Sequence, residues 1–210
     1  MKLETRNLKL LLCVLCVLCG PGFGLDRNAF TFTDYRLQVQ IDPPTHSFSA
    51  AGTVTLRNDS DVPQKNAVLQ ISSSLGWQSV TLDHKKLLYV SHPYESDMDH
   101  TGFLNEAVVT LPQPVAPHGT VQLEVLYGGT IELDTTRLEQ IGTPKDVAAN
   151  SDWDQISPEF TAVRGAGYVA WYPVAIEAVS LSDGPEYTRA LGAWKAREAE
   201  SKMSVIFSST

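Results

Sequence analysis

From Phe30 to Gly129, hydrophobic and polar residues alternate with a period of two, and the chain reads as a series of β-strands. In Thr33–Ile41, the residues Tyr35, Leu37, Val39 and Ile41 alternate with Asp34, Arg36, Gln38 and Gln40. That pattern describes a strand with one face buried and one wet. Asp42-Pro43-Pro44-Thr45 turns the chain, and alternation resumes over Phe48–Leu56. The polar run from Asn58 to Pro63 is a loop by composition, and Ala67, Leu69 and Ile71 mark a third strand. Trp77–Leu82 and Leu87–Val90 flank Asp83-His84-Lys85-Lys86 and predict a tight hairpin. Phe103–Leu111 and Val121–Tyr127 are separated by a loop holding Pro112, Pro114, Pro117 and Gly119. Prolines suit that position, where no ladder donor is needed. Short strands parted by turn signals, with no βαβ rhythm, predict a mainly all-β fold, an antiparallel β-sandwich.

Past Leu133 the texture changes. Asp134–Phe160 is irregular and acidic, and Gly165–Pro173 gathers the aromatic residues Tyr168, Trp171 and Tyr172. One C-terminal helix is predicted over Pro185–Lys202, capped by Ser182 or Asp183, with Pro185 in the first turn. Its apolar stripe is Tyr187, Ala190, Leu191 and Trp194, at helical spacing, and Glu198 and Lys202 form an i,i+4 pair on the wet side. Met203–Phe207 begins another strand, so close to Thr210 that the domain reads as cut short at its C-terminal end.

The N-terminus carries a different signal. Lys2, Arg6 and Lys9 precede the apolar run Leu10–Leu18, and Gly20-Pro21-Gly22-Phe23-Gly24 follows it. A basic region, a short apolar region and small residues read as a secretory signal cleaved after residue 24. The run is about half of the roughly 20 residues a membrane span needs. A lipid anchor at Cys19 is the weaker reading, because Leu18 is bulky where such processing wants a small residue. Cys13, Cys16 and Cys19 all lie in this segment, so the mature chain is expected to be secreted or periplasmic and free of cysteine. Residues 25–210, read as one domain, carry 13 basic and 23 acidic side chains. That balance argues against nucleic acid and anionic membranes as partners.

Candidate chemistry is sparse. The chain has no H-E-x-x-H, no G-x-S-x-G elbow, no phosphate loop and no dinucleotide fingerprint, so no catalytic residue, metal ligand or cofactor is assigned. The tightest cluster of candidate ligands runs from His92 to His100, with Glu95, Asp97 and Asp99. It could hold zinc or calcium if folded back on itself, but a solvated loop between two strands is the preferred reading. Asp152-Trp153-Asp154 is discounted as a calcium loop for want of further oxygen ligands and a glycine turn. Tyr168, Trp171 and Tyr172 could form a sugar-stacking platform; the preferred reading places them at the bottom of the sandwich or in a domain interface. Asn58-Asp59-Ser60 is a glycosylation sequon in a predicted loop.

The order of several motifs resembles a known family. Val108-Val109-Thr110-Leu111-Pro112 leads to Gly119, then Val121-Gln122-Leu123-Glu124-Val125, then Tyr127-Gly128-Gly129-Thr130-Ile131. Upstream lie Tyr35–Pro43 and Phe48–Asn58; downstream lie Trp171-Tyr172-Pro173 and Met203-Ser204-Val205-Ile206-Phe207. Over about residues 30–210 this resembles the N-terminal β-sandwich domain of the aminopeptidase N family of zinc metallopeptidases. In that family the sandwich precedes a thermolysin-like domain with H-E-x-x-H and a G-x-M-E-N loop, neither of which this sequence contains. The family's substrate-anchoring acidic or amide residue has no motif-supported match among Glu139, Gln140 and Glu159. The resemblance therefore implies a non-catalytic module of a secreted or periplasmic peptidase-like protein. Its partner would be a peptidase domain of a parent protein or a second protein. The alternative is a free-standing secreted sandwich that binds carbohydrate or protein.

Overall fold

The computed structural model describes residues 25–210; residues 1–24, with the expected signal segment and its three cysteines, lie outside the described residues. The protein is an antiparallel β-sandwich with one substantial C-terminal helix. Strands β1 (Phe30–Asp42) and β2 (Ser47–Asn58) form a long hairpin joined by a 3-10 turn at Pro43–Thr45. The remaining strands are β3 (Gln64–Ser72), β4 (Leu75–Leu82), β5 (Lys85–Lys86), β6 (Leu88–Glu95), β7 (Phe103–Val115), β8 (Thr120–Thr130), β9 (Gln155–Ile156), β10 (Thr161–Ala162) and β11 (Lys202–Ser209). One sheet has the order β11-β1-β2-β8-β4-β5, the facing sheet β3-β7-β6, and β9 and β10 make a separate ribbon. Two short helices, α1 (Thr136–Gln140) and α2 (Lys145–Ala149), lie in the irregular segment, and α3 (Gly184–Arg197) precedes β11.

Alternation places the core. Tyr35, Leu37 and Val39 of β1, Phe48, Val54 and Leu56 of β2, and Leu123, Val125 and Tyr127 of β8 meet Leu69, Ile71, Val109 and Leu111 of the facing sheet in one buried cluster. A bulge between Phe32 and Asp34 switches the parity of β1, so Phe30 and Phe32 also point inward. Glycine is required where β8 is squeezed between β2 and β4: a Cβ on Gly129 would collide with the Ser74 carbonyl, and one on Gly128 would lie 2.7 Å from that of Phe48.

The structure corrects four sequence expectations. The turn after β4 is tighter than expected: Asp83 and His84 hold positive φ, 51° and 60°, and only Lys85–Lys86 returns along β4. Leu88–Glu95 instead crosses to pair with β7. Second, β7 continues through Pro112 and Pro114, in a stretch where its ladder with β3 is irregular between Gln64 and Asn66. Third, α3 ends at Arg197, with Asp183 accepting from the Glu186 N–H as its N-cap. Glu198 is the C-cap and Lys202 already belongs to β11, so the expected i,i+4 pair does not form. Fourth, β11 runs parallel to β1, Asp34 opposite Lys202 through Ile41 opposite Ser209. A parallel pair needs a long connection, and here residues 43–201, nearly the whole domain, lie between the two strands.

A second, smaller core lies on the far side of the three-stranded sheet. Leu104, Met98, Ala170, Val174, Ile176, Val179, Ala190 and Trp194 pack there beneath α3. Gln70 anchors this layer: its backbone exchanges hydrogen bonds with Val174, and its amide bonds to Ile176 N and O and to the Glu106 carboxylate. Arg27 closes over the same carboxylate with two bonds of 2.7 and 2.8 Å and lies 4.2 Å above the Tyr94 ring, docking the start of the domain.

Candidate functional site

The aromatic residues singled out in the sequence occupy two separate places. Trp171 is only 7% exposed and packs against Phe48, Tyr172 and Phe207, with ring centroids 6.2, 5.0 and 5.8 Å away. Tyr172 stands edge-on to Tyr35 at 5.6 Å, and burial pushes its phenol up to about 12. Tyr168 sits apart, under the Arg164 guanidinium at 3.7 Å and beside Trp153 at 5.8 Å.

Trp171 leads outward to the edge of the sandwich. Among the described residues, strand β11 is paired on one side only, so the outer edge of the six-stranded sheet is open. The facing sheet has three strands and does not cover it, which leaves Met203, Ile206 and Phe207 at 44, 64 and 55% exposure. Parallel pairing turns alternate residues toward the neighbouring strand. The Thr210 N–H bonds to the Ile41 carbonyl, so even-numbered residues face β1, and Met203, Val205, Phe207 and Ser209 present their backbone groups outward.

The His92–His100 segment is not the solvated loop expected. Ser96 through His100 are buried under the second core. Asp99 accepts from Ser72 Oγ at 3.0 Å, Thr101 Oγ1 at 2.9 Å and Ala170 N at 2.9 Å, and burial pushes its carboxyl up. His100 Nε2 lies 3.3 Å from Ser74 Oγ and 3.7 Å from Asp99, while Nδ1 has no partner. A nucleophilic relay needs acid and hydroxyl on opposite ring nitrogens and an open face. Here both crowd one nitrogen of a fully buried ring, so the group is a joint between β3 and residues 96–102. Asp97 accepts from both Arg137 nitrogens and the Leu181 N–H, contacts that hold its carboxyl below the usual range against the cost of burial.

Two other sequence candidates are also structural. The Asn58 side chain is buried, and its amide donates to the Val62 and Val115 carbonyls at 2.8 and 2.9 Å. A glycan cannot occupy that nitrogen in the folded chain. Asp154 is buried against Arg164, accepting from its backbone N–H and its guanidinium. Glu139, Gln140 and Glu159 are exposed. Among the described residues, no group of three or more His, Cys, Asp or Glu side chains converges as metal ligands would. The zinc that the family resemblance implies therefore finds no ligand set in this part of the chain.

One group escaped the sequence reading. Beneath the C-terminus of α3, Tyr35, Tyr172, Trp194, Lys195, Glu198, Ser201 and Met203 line a pocket of about 200 Å³. Glu198 Oε2 accepts from the Tyr35 hydroxyl at 3.3 Å, and burial raises its carboxyl to about 7. Nothing in the run Arg197–Lys202 breaks a helix, so the pattern placed Glu198 on a wet helical face. Pairing of β11 with β1 ends the helix early and turns Glu198 inward.

No protein-family model and no curated protein matches the chain. Among solved structures, it is similar to an M1 zinc metallopeptidase from Deinococcus radiodurans, with 22% identity and a TM-score of 0.39 over 51% of this chain and 22% of that one. A point mutant of that enzyme bound to a Tyr-Ser-Ala substrate matches at 22% identity and TM-score 0.39, over 52% and 22% of the two chains. A two-domain M1 zinc metallopeptidase mutant bound to L-arginine matches at 22% identity and TM-score 0.38, over 50% and 22%. The match spans about a fifth of the length of these enzymes.

Proposed function

We propose that this chain is a non-catalytic sandwich module of a secreted or periplasmic aminopeptidase-like metallopeptidase, and that it packs beside a peptidase domain. The observation that carries the reading is the open β11 edge, where Phe207 stands half-exposed against the buried Trp171, Met203 is exposed on the same face and Ile206 on the opposite one. An unprotected edge strand that carries exposed apolar side chains is a surface that proteins normally cover. The order of sandwich motifs in the sequence supports a peptidase domain as the covering partner. The alternative, a free-standing binding module with the aromatic block as its face, lacks its platform because Trp171 is inside.

The test is an aminopeptidase N-type catalytic domain, expressed separately and mixed with this chain. Association with slowed backbone exchange at residues 202–209 is the expected result. An in-frame H-E-x-x-H in the coding sequence after Thr210 would support the same reading. No association, with residues 202–209 exchanging as in the free chain, would overturn it.

A further inference from the structure

We infer that β11, in the chain free of a peptidase domain, pairs edge to edge with β11 of a second copy, the two strands running antiparallel about a two-fold axis at Val205. Among the described residues the two main sheets have four edges, and three are guarded. Strand β5 is two residues long and both are lysines, β6 carries Pro93, and β3 is bonded along its outer side by Ala170 and Val174. Short length, lysine, proline and cover are the means by which sheets avoid edge pairing. Strand β11 has none of them beyond its first residue. Residues 203–209 hold neither charge nor proline, and Met203, Val205, Phe207 and Ser209 direct their backbone groups outward. Donors and acceptors in that spacing are met by another extended strand.

Charge and register select a second copy in the antiparallel sense. Residues 25–210 carry 13 basic and 23 acidic side chains, so two copies repel over most of their surface and meet best along an uncharged strip. A closed two-fold pair that uses these hydrogen bonds centres on a residue whose backbone faces outward. Val205 is the one nearest the middle of the strand. Met203 of each copy then faces Phe207 of the other, and these pairs and the central Val205 pair exchange backbone hydrogen bonds in both directions. Met203 and Phe207 are exposed side chains on the core face, and they cover each other across the seam. Lys202 faces Ser208, which sets the two lysines about 20 Å apart, more than two Debye lengths at physiological salt. Parallel pairing would put lysine beside lysine. The peptidase domain of the preceding reading would occupy the same edge, so the two contacts exclude each other, and self-pairing is tested on the chain alone.

On the outer face the same register sets Ser204 opposite Ile206 of the other copy, in a pair without mutual backbone bonds. Cα atoms in such a pair are about 4.5 Å apart, within reach of a disulfide. Ser204 with Ser204, or Ile206 with Ile206, are diagonal neighbours at about 7–8 Å, beyond that reach. Residues 25–210 contain no cysteine, so introduced thiols report alone. Ser204→Cys and Ile206→Cys are prepared separately, then oxidised singly and mixed at about 100 μM, a concentration suited to a small interface. The mixture should give at least about tenfold more disulfide-linked dimer than either variant alone. Val205→Pro, which removes an outward donor, should weaken self-association about tenfold or more in analytical ultracentrifugation. Val205→Ala, which keeps the donor, should weaken it far less, and thermal unfolding checks that both variants fold. Equal cross-linking in the mixture and the single variants would mean random collision and overturn the proposal. A monomer at about 100 μM, or single variants that cross-link better than the mixture, would overturn it as well.

Discussion

Glu198 shows what one buried carboxyl does to the stability of the protein. Its folded value of about 7 stands above the ordinary 4.5 because burial outweighs the help from Arg197, Trp194 and Tyr35. The groups facing it are Tyr35 on β1, Tyr172, and Trp194, Lys195 and Arg197 on α3. Between the two values the native state keeps a proton that the unfolded chain has released. Glu198 therefore costs nothing below about pH 4.5, and its penalty grows as pH rises and is complete above 7. Glu198→Gln should stabilise the protein by about 2–3 kcal/mol at pH 8 and by little at pH 5, read from urea unfolding at both values. A gain equal at both pH values would place its cause elsewhere. Trp171→Ala should cost about 3–5 kcal/mol by the same measurement, as expected for a large ring removed from a packed core. A ΔΔG near zero would mean that Trp171 faces solvent. The sequence could offer Trp171 as a core residue because rings among glycines at a strand end seek burial. It could not offer Glu198, since polarity alone puts a glutamate on the surface and only the packing of α3 on β1 turns it in.

At the level of elements, strands with one wet face were readable and strands with two covered faces were not. In β1, β2 and β8 the alternation of residues maps directly onto burial. In β3 every residue from Ala67 to Ser72 is buried, because residues 170–176 bond along its outer edge at Gln70 and Ser72 and hold the Gln70 side chain, and the period of two disappears there. Sheet assignment was equally hidden: nothing local distinguishes a strand that returns along its neighbour from one that crosses, as β6 does. The orientation of β11 supports a sharp contrast. Proline at Ile206 removes a donor directed at β1, whereas proline at Val205 removes one directed outward. Ile206→Pro should be less stable than Val205→Pro by about 1–3 kcal/mol, measured by thermal or urea unfolding. The reverse order would mean that the strand is rotated by one residue from the register described.

For the whole molecule, the most legible feature was the fold class, because it depends on pattern spread over many residues. The pocket and the open edge depend on contacts between distant segments and had no local signature. Residues 25–210 should take up no stoichiometric zinc and cleave no aminoacyl reporter, since no histidine pair with a glutamate base is present to bind and activate a zinc-bound water. Metal analysis and a chromogenic assay check this, and one tightly held zinc per chain with chelator-sensitive cleavage would refute it. An acidic, cysteine-free body should also keep the same unfolding midpoint with and without reductant, because no cross-link constrains its unfolded state.

The parallel seam between β1 and β11 also sets a clock. Val39 and Ser208 are 169 residues apart yet lie in adjacent strands. At about 5–20 residues per second, the ribosome needs on the order of ten seconds or more between making them. Through that interval the first strand of the domain has β2 on one side and nothing on the other. The flank left open is its edge of backbone N–H and C=O groups, since Leu37 and Val39 point into the core, and it stays unpaired until β11 is made. Contacts of such long range form slowly even in a complete chain. The sandwich therefore assembles from its middle outward, and the first strand synthesised is among the last to be fully enclosed.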